Sequence, residues 1–370
     1  MLRFADEKVE KALSTAMKFM SWKHASWLEV CVRCGLCIEA CPYFIAVRNP
    51  TYAPSFRARL FRDEVYNKLF GFKGVIKPSP PNLNRLKKYM DAVYYGCNFC
   101  SRCDYSCPFG IKNTDLLILE RTFYYNVGIA PSNVYELVDK TVKYGNPYGK
   151  PQKDKISWVK EAEKEGINVP IDERGADVVY YVGCDAAYKE WLWEIPKSVA
   201  DIMNSVKENW TILSDEICCG YRLLDLGDYE KALEIFKRNV ELLKKLRVKT
   251  VVFGCPGCLV GFIDMYPRLL GKRLPFRVLH LTEWLYEKYK EGKLKLKKAY
   301  DVRVTYHDPC NLFRRAHIWK EPREIIKAIA PDFKEQFYSM RYTYCCGGGV
   351  FLNLLAPENS IKVSILRASQ

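Results

Sequence analysis

The sequence lacks any long run of uncharged apolar residues. A membrane-spanning helix needs roughly 18 or more such residues, whereas the longest candidates, 178–183 and 116–119, are much shorter. No apolar segment follows the charged start at 1–11, so we expect no secretory leader. No Gly-x-Gly-x-x-Gly fingerprint follows a predicted strand, and any flavin or nicotinamide chemistry is therefore expected on a partner.

Low-complexity segments are also missing. With 370 residues and 49% hydrophobic content, the chain can bury two or three cores. We therefore expect a globular protein of several domains.

Cysteine, by contrast, is abundant and regularly spaced. Two runs share the pattern Cys-x2-Cys-x2-Cys-x3-Cys-Pro, the second lying 66 residues after the first: Cys31, Cys34, Cys37, Cys41 and Cys97, Cys100, Cys103, Cys107. This run binds cubane [4Fe–4S] clusters, and the cysteine before the proline ligates the other cluster. The pattern predicts one cluster on Cys31, Cys34, Cys37 and Cys107, and a second on Cys97, Cys100, Cys103 and Cys41.

Other uses of these cysteines fit less well. Zinc sites take cysteines in pairs separated by a dozen or more residues. Disulfide frameworks are typical of short secreted chains. We therefore expect reduced thiolates in a cytosolic compartment, and paired clusters that carry single electrons.

The formal charge of +15 raises the question of nucleic acid. Each cubane with four thiolates carries about −2, which lowers the working charge. The basic runs at 85–88 and 293–298 are typical of solvated helix faces. We expect no nucleic acid, although an acidic protein partner or the inner membrane surface remains open.

The pattern divides the chain into four segments. Residues 1–140 are predicted to be a helical ferredoxin-type domain, with Asn113 to Asp115 capping an apolar helix. The N-terminal stripe of Val9, Leu13, Met17 and Met20 with Trp22 and Trp27 could lie on a membrane, but a stripe of that width usually packs into a core, and we expect core packing. Residues 141–176 are predicted to be a linker. Residues 177–298 and 299–370 read as two α/β units, the second starting with a predicted strand at 302–307, so the predicted fold class is α+β multidomain with mostly parallel sheets.

Five cysteines recur in the first α/β unit. Cys184 and Cys255 close the predicted strands 177–183 and 249–254, so they should emerge at the carboxyl edge of a sheet, where open α/β folds bind ligands. The adjacent pair Cys218 and Cys219 can face one centre only if the backbone bends, which Gly220 permits. With Cys258, these thiols indicate a metal centre; buried structural cysteines are the alternative.

These motifs resemble a known family. The spacing of Cys184, Cys218-Cys219-Gly220 and Cys255-x2-Cys258 is similar to the CCG domain of heterodisulfide reductases. Two cubane motifs followed by two CCG units resemble the D-type subunit of heterodisulfide reductase and the iron–sulfur subunits of glycolate oxidase and anaerobic glycerol-3-phosphate dehydrogenase. The segment 93–110 favours the heterodisulfide reductase D type. The resemblance implies that the five cysteines hold a noncubane [4Fe–4S] cluster that can take a substrate sulfur.

The second unit departs from this pattern. It contains His307 before Cys310, and then Cys345 and Cys346, but no later Cys-x2-Cys before Gln370. Either the sequence is trimmed, which the helical pattern at 361–368 favours, or the site is degenerate and leaves a partial set of three cysteines. His307 could donate a proton beside it or serve as a core residue. Arg314 and Arg315 are candidates to line a substrate cleft beside Cys219 and Cys258, or are ordinary surface residues.

Two functions remain open. In the first, this subunit is a catalytic oxidoreductase that reduces a disulfide, with catalytic residues Cys184, Cys218, Cys219, Cys255, Cys258 and His307. In the second, it only relays electrons. It takes them from a flavoprotein that oxidises glycolate, lactate or glycerol phosphate, and it passes them to quinone. Both require redox partners: a flavoprotein, a membrane haem b subunit or a thiol carrier protein. A cytoplasmic location is expected, with peripheral membrane association through a partner.

Overall fold

The structure, a computed structural model, describes residues 6–70 and 79–370. The chain divides into two units: the first contains 1–136, 222–229 and 337–370, and the second contains 137–221 and 230–336. This division groups the C-terminal residues with the N-terminal ones. The four predicted segments stay a prediction.

The described part of the first unit is helical. Its helices are Glu7–Phe19, Trp22–Val30, Leu36–Glu39, Pro42–Val47, Pro54–Phe61, Asn67–Phe70, Leu83–Lys88, Met90–Tyr94, Arg102–Tyr105, Asn113–Asn126, Leu352–Leu355 and Pro357–Ala368. Short 3-10 or π turns occur at Pro50–Tyr52, Arg62–Tyr66, Met340–Tyr342 and Gly349–Phe351. The helices Ser132–Tyr144, Tyr221–Leu226 and Tyr229–Lys245 contain residues of both units.

The N-terminal stripe is buried only in part. Helix Glu7–Phe19 starts where the Asp6 carboxylate accepts hydrogen bonds from the Lys8 and Val9 amides, and Val9 and Leu13 lie in the core. Met17 is 44% exposed and Trp22 is 74% exposed. The prediction of core packing is therefore wrong for these two residues. Met17 lies two turns after Val9, where a spacing of four residues has drifted about 80° around the helix, and Trp22 lies beyond the helix end at Phe19.

Helix Asn113–Asn126 forms the centre of the first unit. Its residues 116–124 are all buried, since it packs against several helices. The predicted cap is wrong in detail: the N-cap position is Lys112, whose side chain makes no cap hydrogen bond. Thr114 instead donates from its amide and hydroxyl to the Asp104 carboxylate, at 3.2 and 2.5 Å.

A parallel four-stranded sheet organises the second unit. Its strands are β1 (Val178–Tyr181), β2 (Trp210–Thr211), β3 (Thr250–Phe253) and β4 (Arg277–His280), in the order β2-β1-β3-β4. Helices Ser157–Lys164, Cys184–Tyr188, Glu194–Ser205, Pro256–Val260, Tyr266–Leu270, Leu281–Lys290 and Lys320–Ile329 belong to this unit, with short turns at Gln152–Ile156, Glu190–Leu192, Gly261–Met265 and Asn311–Arg315. β1 and β3 confirm the two strands expected from the β-rich runs.

Both faces of this sheet are buried, as parallel sheets require. On one face Tyr180 and Val252 join an apolar cluster with Trp158. On the other face Tyr181 and Phe253 stack, with ring centroids 5.0 Å apart. Helix Ser157–Lys164 supplies Trp158, so the predicted linker contains a helix that contributes to this core.

The β-rich run 302–307 behaves differently from the runs that form β1 and β3. In the described chain, 302–307 forms no strand and makes only an isolated parallel bridge from Val304 to Phe333. Val302 is 59% exposed. The expectation of a second strand here is wrong, since strand propensity depends on neighbouring strands that pack against it.

Candidate metal centres

Four cysteines surround one pocket of the first unit, and we call them the outer set. Cys31, Cys34, Cys37 and Cys107 line a single surface pocket. Cys34 is exposed and the other three are partly exposed. Cys31 follows helix Trp22–Val30, and Gly35, with φ of +86°, turns the chain into the next helix. The structure thus brings together the four cysteines predicted to hold one cubane.

Four other cysteines form a buried inner set: Cys41, Cys97, Cys100 and Cys103. The charges of Cys97 and Cys100 act on the Cys41 thiol, and that of Cys41 acts on Cys103. Burial raises the pKa of Cys41 to about 12, opposed by the nearby Arg57 guanidinium. Cys41 therefore lies among the cysteines of the other motif. The ligand assignment itself stays a prediction.

Three buried arginines hold the loops that carry the inner set. Arg57 donates to the Gly96 carbonyl at 3.3 Å, directly before Cys97. Arg121 donates to the Cys97 carbonyl at 3.0 Å, and Arg102 to the Ala40 carbonyl at 2.7 Å, directly before Cys41. The sequence reasoning missed all three. A signal existed for Arg121, because it is a charged residue inside the apolar run 116–125.

The electrostatic surroundings of the inner set are cationic. Burial raises the pKa of Glu120 to about 8, so this carboxyl is mostly protonated at neutral pH. Asp104, beside Cys103, accepts two hydrogen bonds from Thr114. The guanidinium groups of Arg57, Arg102 and Arg121 lie close to the inner set. Their positive charge suits a group of negative charge, since a cubane with four thiolates carries about −2.

The five cysteines of the first CCG motif meet at one edge of the sheet. Cys184 begins a helix just after β1, and Cys255 caps a helix just after β3. β1 and β3 are paired in parallel, with Tyr181 opposite Phe253. Both cysteines therefore emerge at the carboxyl edge, where the strand pattern places them.

The adjacent pair Cys218 and Cys219 sits in a braced turn. Gly220 has φ of +77°, and a Cβ there would lie only 2.8 to 3.0 Å from side-chain atoms of Ile235 and Phe236. The Gly220 amide donates back to the Cys218 sulfur at 3.5 Å. The carbonyls of the pair accept hydrogen bonds from Asn239 at 3.1 Å and Tyr266 at 2.7 Å. The bend that glycine permits is thus present.

The five sulfurs form a continuous series of contacts. Hydrogen bonds link Cys184 to Cys218, Cys218 to Cys219, Cys219 to Cys258, and Cys258 to Cys255. Cys218 and Cys258 donate hydrogen bonds to Cys219 and lower its pKa, while hydrogen bonding to Cys218 and burial raise the pKa of Cys184. One thiolate is therefore stabilised among thiols, and a metal centre would have to displace the remaining protons.

A buried ion pair stabilises the loops that carry this site. Lys155 lies 2.6 Å from the Glu216 carboxylate, and neither side chain is more than 2% exposed. Glu216 accepts from the Val182 and Gly183 amides at 2.8 Å, and Lys155 donates to the Gly183 carbonyl at 2.9 Å. The pair connects the loop before Cys184 to the loop before Cys218.

The second CCG motif is divided between the units. Cys345 and Cys346 lie in the first unit, whereas His307 and Cys310 lie in the second. Cys345 is buried and accepts a hydrogen bond from the Gly347 amide at 3.2 Å. Gly347 has φ of +89°. Both Cys-Cys-Gly turns therefore share one local geometry, in which the glycine amide donates to the first sulfur.

The candidate cleft residues lie deeper than the sequence indicates. Arg314 is 3% exposed, and the Arg315 side chain is 9% exposed and lies 4.0 Å from the Asp264 carboxylate. The alternative that they are ordinary surface residues is wrong, because the turn Asn311–Arg315 packs against helix Pro256–Val260. Cys219 and Cys258 are buried, and the more exposed cysteines of the motif are Cys184 and Cys255.

These sulfur sets match the donors that iron–sulfur clusters take. All sixteen cysteines lie within the described residues, and each is a thiol outside any disulfide. Among those residues, no three His, Cys, Asp or Glu side chains converge on a point as the ligands of a single metal ion do. Within the same ranges, no helix is long and apolar enough to cross a membrane.

Comparison with known proteins agrees with these sites. Residues 27–111 match the family model of the 4Fe-4S dicluster domain, and residues 178–263 and 304–363 match that of the cysteine-rich CCG domain. The chain is 34% identical to the D-type subunit of dihydromethanophenazine:CoB–CoM heterodisulfide reductase from Methanosarcina barkeri, over 91% of this chain and 81% of that protein. The chain belongs to the family of heterodisulfide reductase D-type subunits.

Other relatives place the family more broadly. The corresponding D-type subunit from Methanosarcina mazei is 33% identical over 91% of this chain and 82% of its own length. An EtfAB:quinone oxidoreductase from Syntrophomonas wolfei is 25% identical over 93% of this chain but only 51% of its own length. No solved structure matches the chain. The predicted family and fold class are confirmed, and the chain is an iron–sulfur electron-transfer subunit of an oxidoreductase type.

Proposed function

We propose that this subunit passes electrons through two cubane clusters to a noncubane cluster in the first CCG motif and there reduces a disulfide. The outer set would hold one cubane and the inner set the other. The observation that carries this proposal is the continuous series of five sulfurs from Cys184 to Cys255 at the sheet edge. We propose one or two noncubane clusters in the chain, the first of them in this motif.

The reaction must balance two electrons against two protons. One S–S bond of the substrate breaks, two electrons arrive singly, and two protons complete the two product thiols. When bound, the clusters supply the single electrons and an iron site for a substrate sulfur. The chain itself positions the five cysteines through the Cys218–Gly220 turn and the Lys155–Glu216 pair. His307 is proposed as a proton donor beside Cys310 of the second motif.

Disulfide-dependent oxidation of a reduced viologen dye tests this function. The substrate to try first is the CoB–CoM heterodisulfide, after which the Methanosarcina relatives are named. We expect turnover by the complex and at least a hundredfold loss in Cys219→Ala, with the cubane paramagnetic resonance signals unchanged as the internal control. Absence of turnover with every disulfide would contradict the proposal.

A second function is favoured by the burial of the site. Cys219 and Cys258 are both at most 5% exposed, and a relay needs no opening for a substrate. In this alternative the chain carries electrons between a flavoprotein and quinone, in line with the name of the Syntrophomonas relative. Rapid turnover with a hydroxy acid or a quinone, and none with disulfides, would favour it.

The chain would work within a larger complex in either case. The proposed partners are a flavoprotein, a membrane haem b subunit or a thiol carrier protein. We propose a cytoplasmic position, at the inner face of the membrane where a partner provides the anchor. Affinity purification of the chain from its native cells would identify which partner copurifies.

A further inference from the structure

The outer set opens onto a surface that is apolar at its centre. Around the same pocket as Cys34, Val32 is 62% exposed, Leu36 is 44% exposed and Phe109 is 49% exposed. Large apolar side chains grouped at one exposed site are typical of interaction surfaces. We call these three residues the apolar rim.

The charged residues of this surface are all cationic. A neighbouring pocket shares Cys31 and Arg33 with the first and is also lined by Arg59 and Arg62. Among the residues that the structure describes, no Asp or Glu lines either pocket; the exposed Glu29 and Glu39 of the adjoining helices lie outside both linings. Of the three arginines, Arg62 pairs with Asp63 at 3.0 Å. Arg33 is exposed and forms no ion pair within the described residues.

The inner set offers no comparable surface. Its four cysteines are buried behind Arg57, Arg102 and Arg121. Electron transfer between proteins requires two redox centres to come close together, so of the two cubane sets the exposed outer set is the one that a partner can approach.

We propose that the apolar rim and its arginines form the docking surface for an acidic electron-transfer protein, which exchanges single electrons with the outer cluster. This rests on the proposed function, since the outer set must hold a cluster. The partner would present an apolar centre to Val32, Leu36 and Phe109 and carboxylates to Arg33 and Arg59. One electron passes in each encounter, so the donor is oxidised and the outer cluster reduced, or the reverse.

Two forms of one acceptor protein test the surface. The full chain with clusters loaded is reduced with dithionite, then mixed in a stopped-flow instrument with native cytochrome c, which is basic, or with succinylated cytochrome c, which is acidic. We expect the acidic form to oxidise the chain about tenfold faster, because complementary charge steers association. The difference should shrink as salt is added, since salt screens exposed charges.

Variants locate the effect on the chain. Arg33→Glu and Arg59→Glu should each slow oxidation by the acidic form several-fold and speed it with the basic form. Lys87→Glu is the matched control, because Lys87 is exposed in the same unit, undergoes the same charge change and lines neither pocket. Leu36→Asn should slow both acceptors.

The contrary outcomes are distinct. If the arginine variants match the wild type, or Lys87→Glu shifts the rates as much as they do, the surface is not the docking site. Arg33-dependent binding to phosphatidylglycerol vesicles, with unchanged electron-transfer rates, would overturn the proposal in favour of a lipid surface. Failure of dithionite to bleach the chain would instead contradict the cluster assignment itself.

Discussion

The side-chain amide of Asn98 donates a hydrogen bond to the sulfur of Cys345. Asn98 lies between two cysteines of the inner set, and Cys345 belongs to the second CCG motif. The approach is close, because a Cβ added to Gly349 would lie 2.9 Å from the Asn98 carbonyl. Tyr43 lies nearby and donates to the Gly347 carbonyl at 3.1 Å. The first unit thus joins a cubane loop to a CCG turn.

Removing this contact should expose Cys345. In Asn98→Ala the sulfur loses a donor and the turn loses packing, so we expect iodoacetamide to alkylate Cys345 of the metal-free chain at least fivefold faster. Cys346 is already exposed and should react at an unchanged rate. Peptide mass spectrometry measures both. Asn133→Ala, which removes a hydrogen bond to Leu355 in the same unit, is the control; an equal acceleration there would indicate general loosening.

Exchange of ligands between the two cubane motifs can be tested at Cys41. Because Cys41 lies among Cys97, Cys100 and Cys103, Cys41→Ala should damage the inner cluster and leave the outer one near full occupancy. Cys107→Ala should do the opposite. Iron content together with paramagnetic resonance of each cluster checks this. Loss of the outer cluster in Cys41→Ala would show that the crossed assignment is wrong.

Arg57 should tune the reduction potential of the inner cluster. A buried positive charge favours the reduced state, which carries one more negative charge. Arg57→Gln removes that charge, so at a fixed poise we expect the ratio of reduced to oxidised inner cluster to fall about tenfold, which corresponds to about 59 mV for one electron. Redox titration followed by paramagnetic resonance measures the shift.

Two further variants separate charge from packing in that titration. Arg57→Lys keeps the charge and should restore most of the potential. Arg48→Gln removes an exposed arginine of the same unit and should leave the potential unchanged. Equal shifts in Arg57→Lys and Arg57→Gln would show that the guanidinium acts by hydrogen bonding to the loop rather than by its charge.

We expect the first CCG site to require the Lys155–Glu216 pair for its stability. Lys155→Met leaves a buried carboxylate without its partner, a change that typically costs about 3–5 kcal/mol. We expect a lower melting temperature and loss of the CCG cluster, with both cubanes retained. Lys164→Met is the control, since the Lys164–Glu161 pair is exposed at 2.7 Å and such pairs contribute about 0–1 kcal/mol. Similar losses in both variants would contradict the proposed bracing.

The grouping of the cysteines was accessible from sequence because it depends on spacing. Cys41 meets the second motif and Cys107 the first, as the residue before each proline predicts. The positions of Cys184 and Cys255 followed from strands whose carboxyl ends share one edge. The bend after each cysteine pair also follows from the sequence, because the glycine there adopts a positive φ.

The side chains that bind the cysteine loops could not be predicted from the sequence in the same way. Arg57 and Arg102 lie far along the chain from some of the carbonyls they bind, and Arg57 reaches Gly96 across 39 residues. No periodicity marks such a contact. Glu216 likewise binds the Val182 amide 34 residues away. The strand prediction for 302–307 is wrong for the opposite reason. The local strand propensity of this run is strong, but the run forms only one β-bridge, from Val304 to Phe333.

The arginine-held loops of the inner set have a consequence for maturation of the protein. Once Arg57, Arg102 and Arg121 engage their carbonyls, the four sulfurs are at most 9% exposed, and a preassembled cluster delivered by another protein has no surface to approach. The outer cysteines stay accessible after folding. We therefore expect the inner cluster to be inserted while the chain is still folding, and the outer cluster to be the one that is lost to oxidants and rebuilt during the life of the protein.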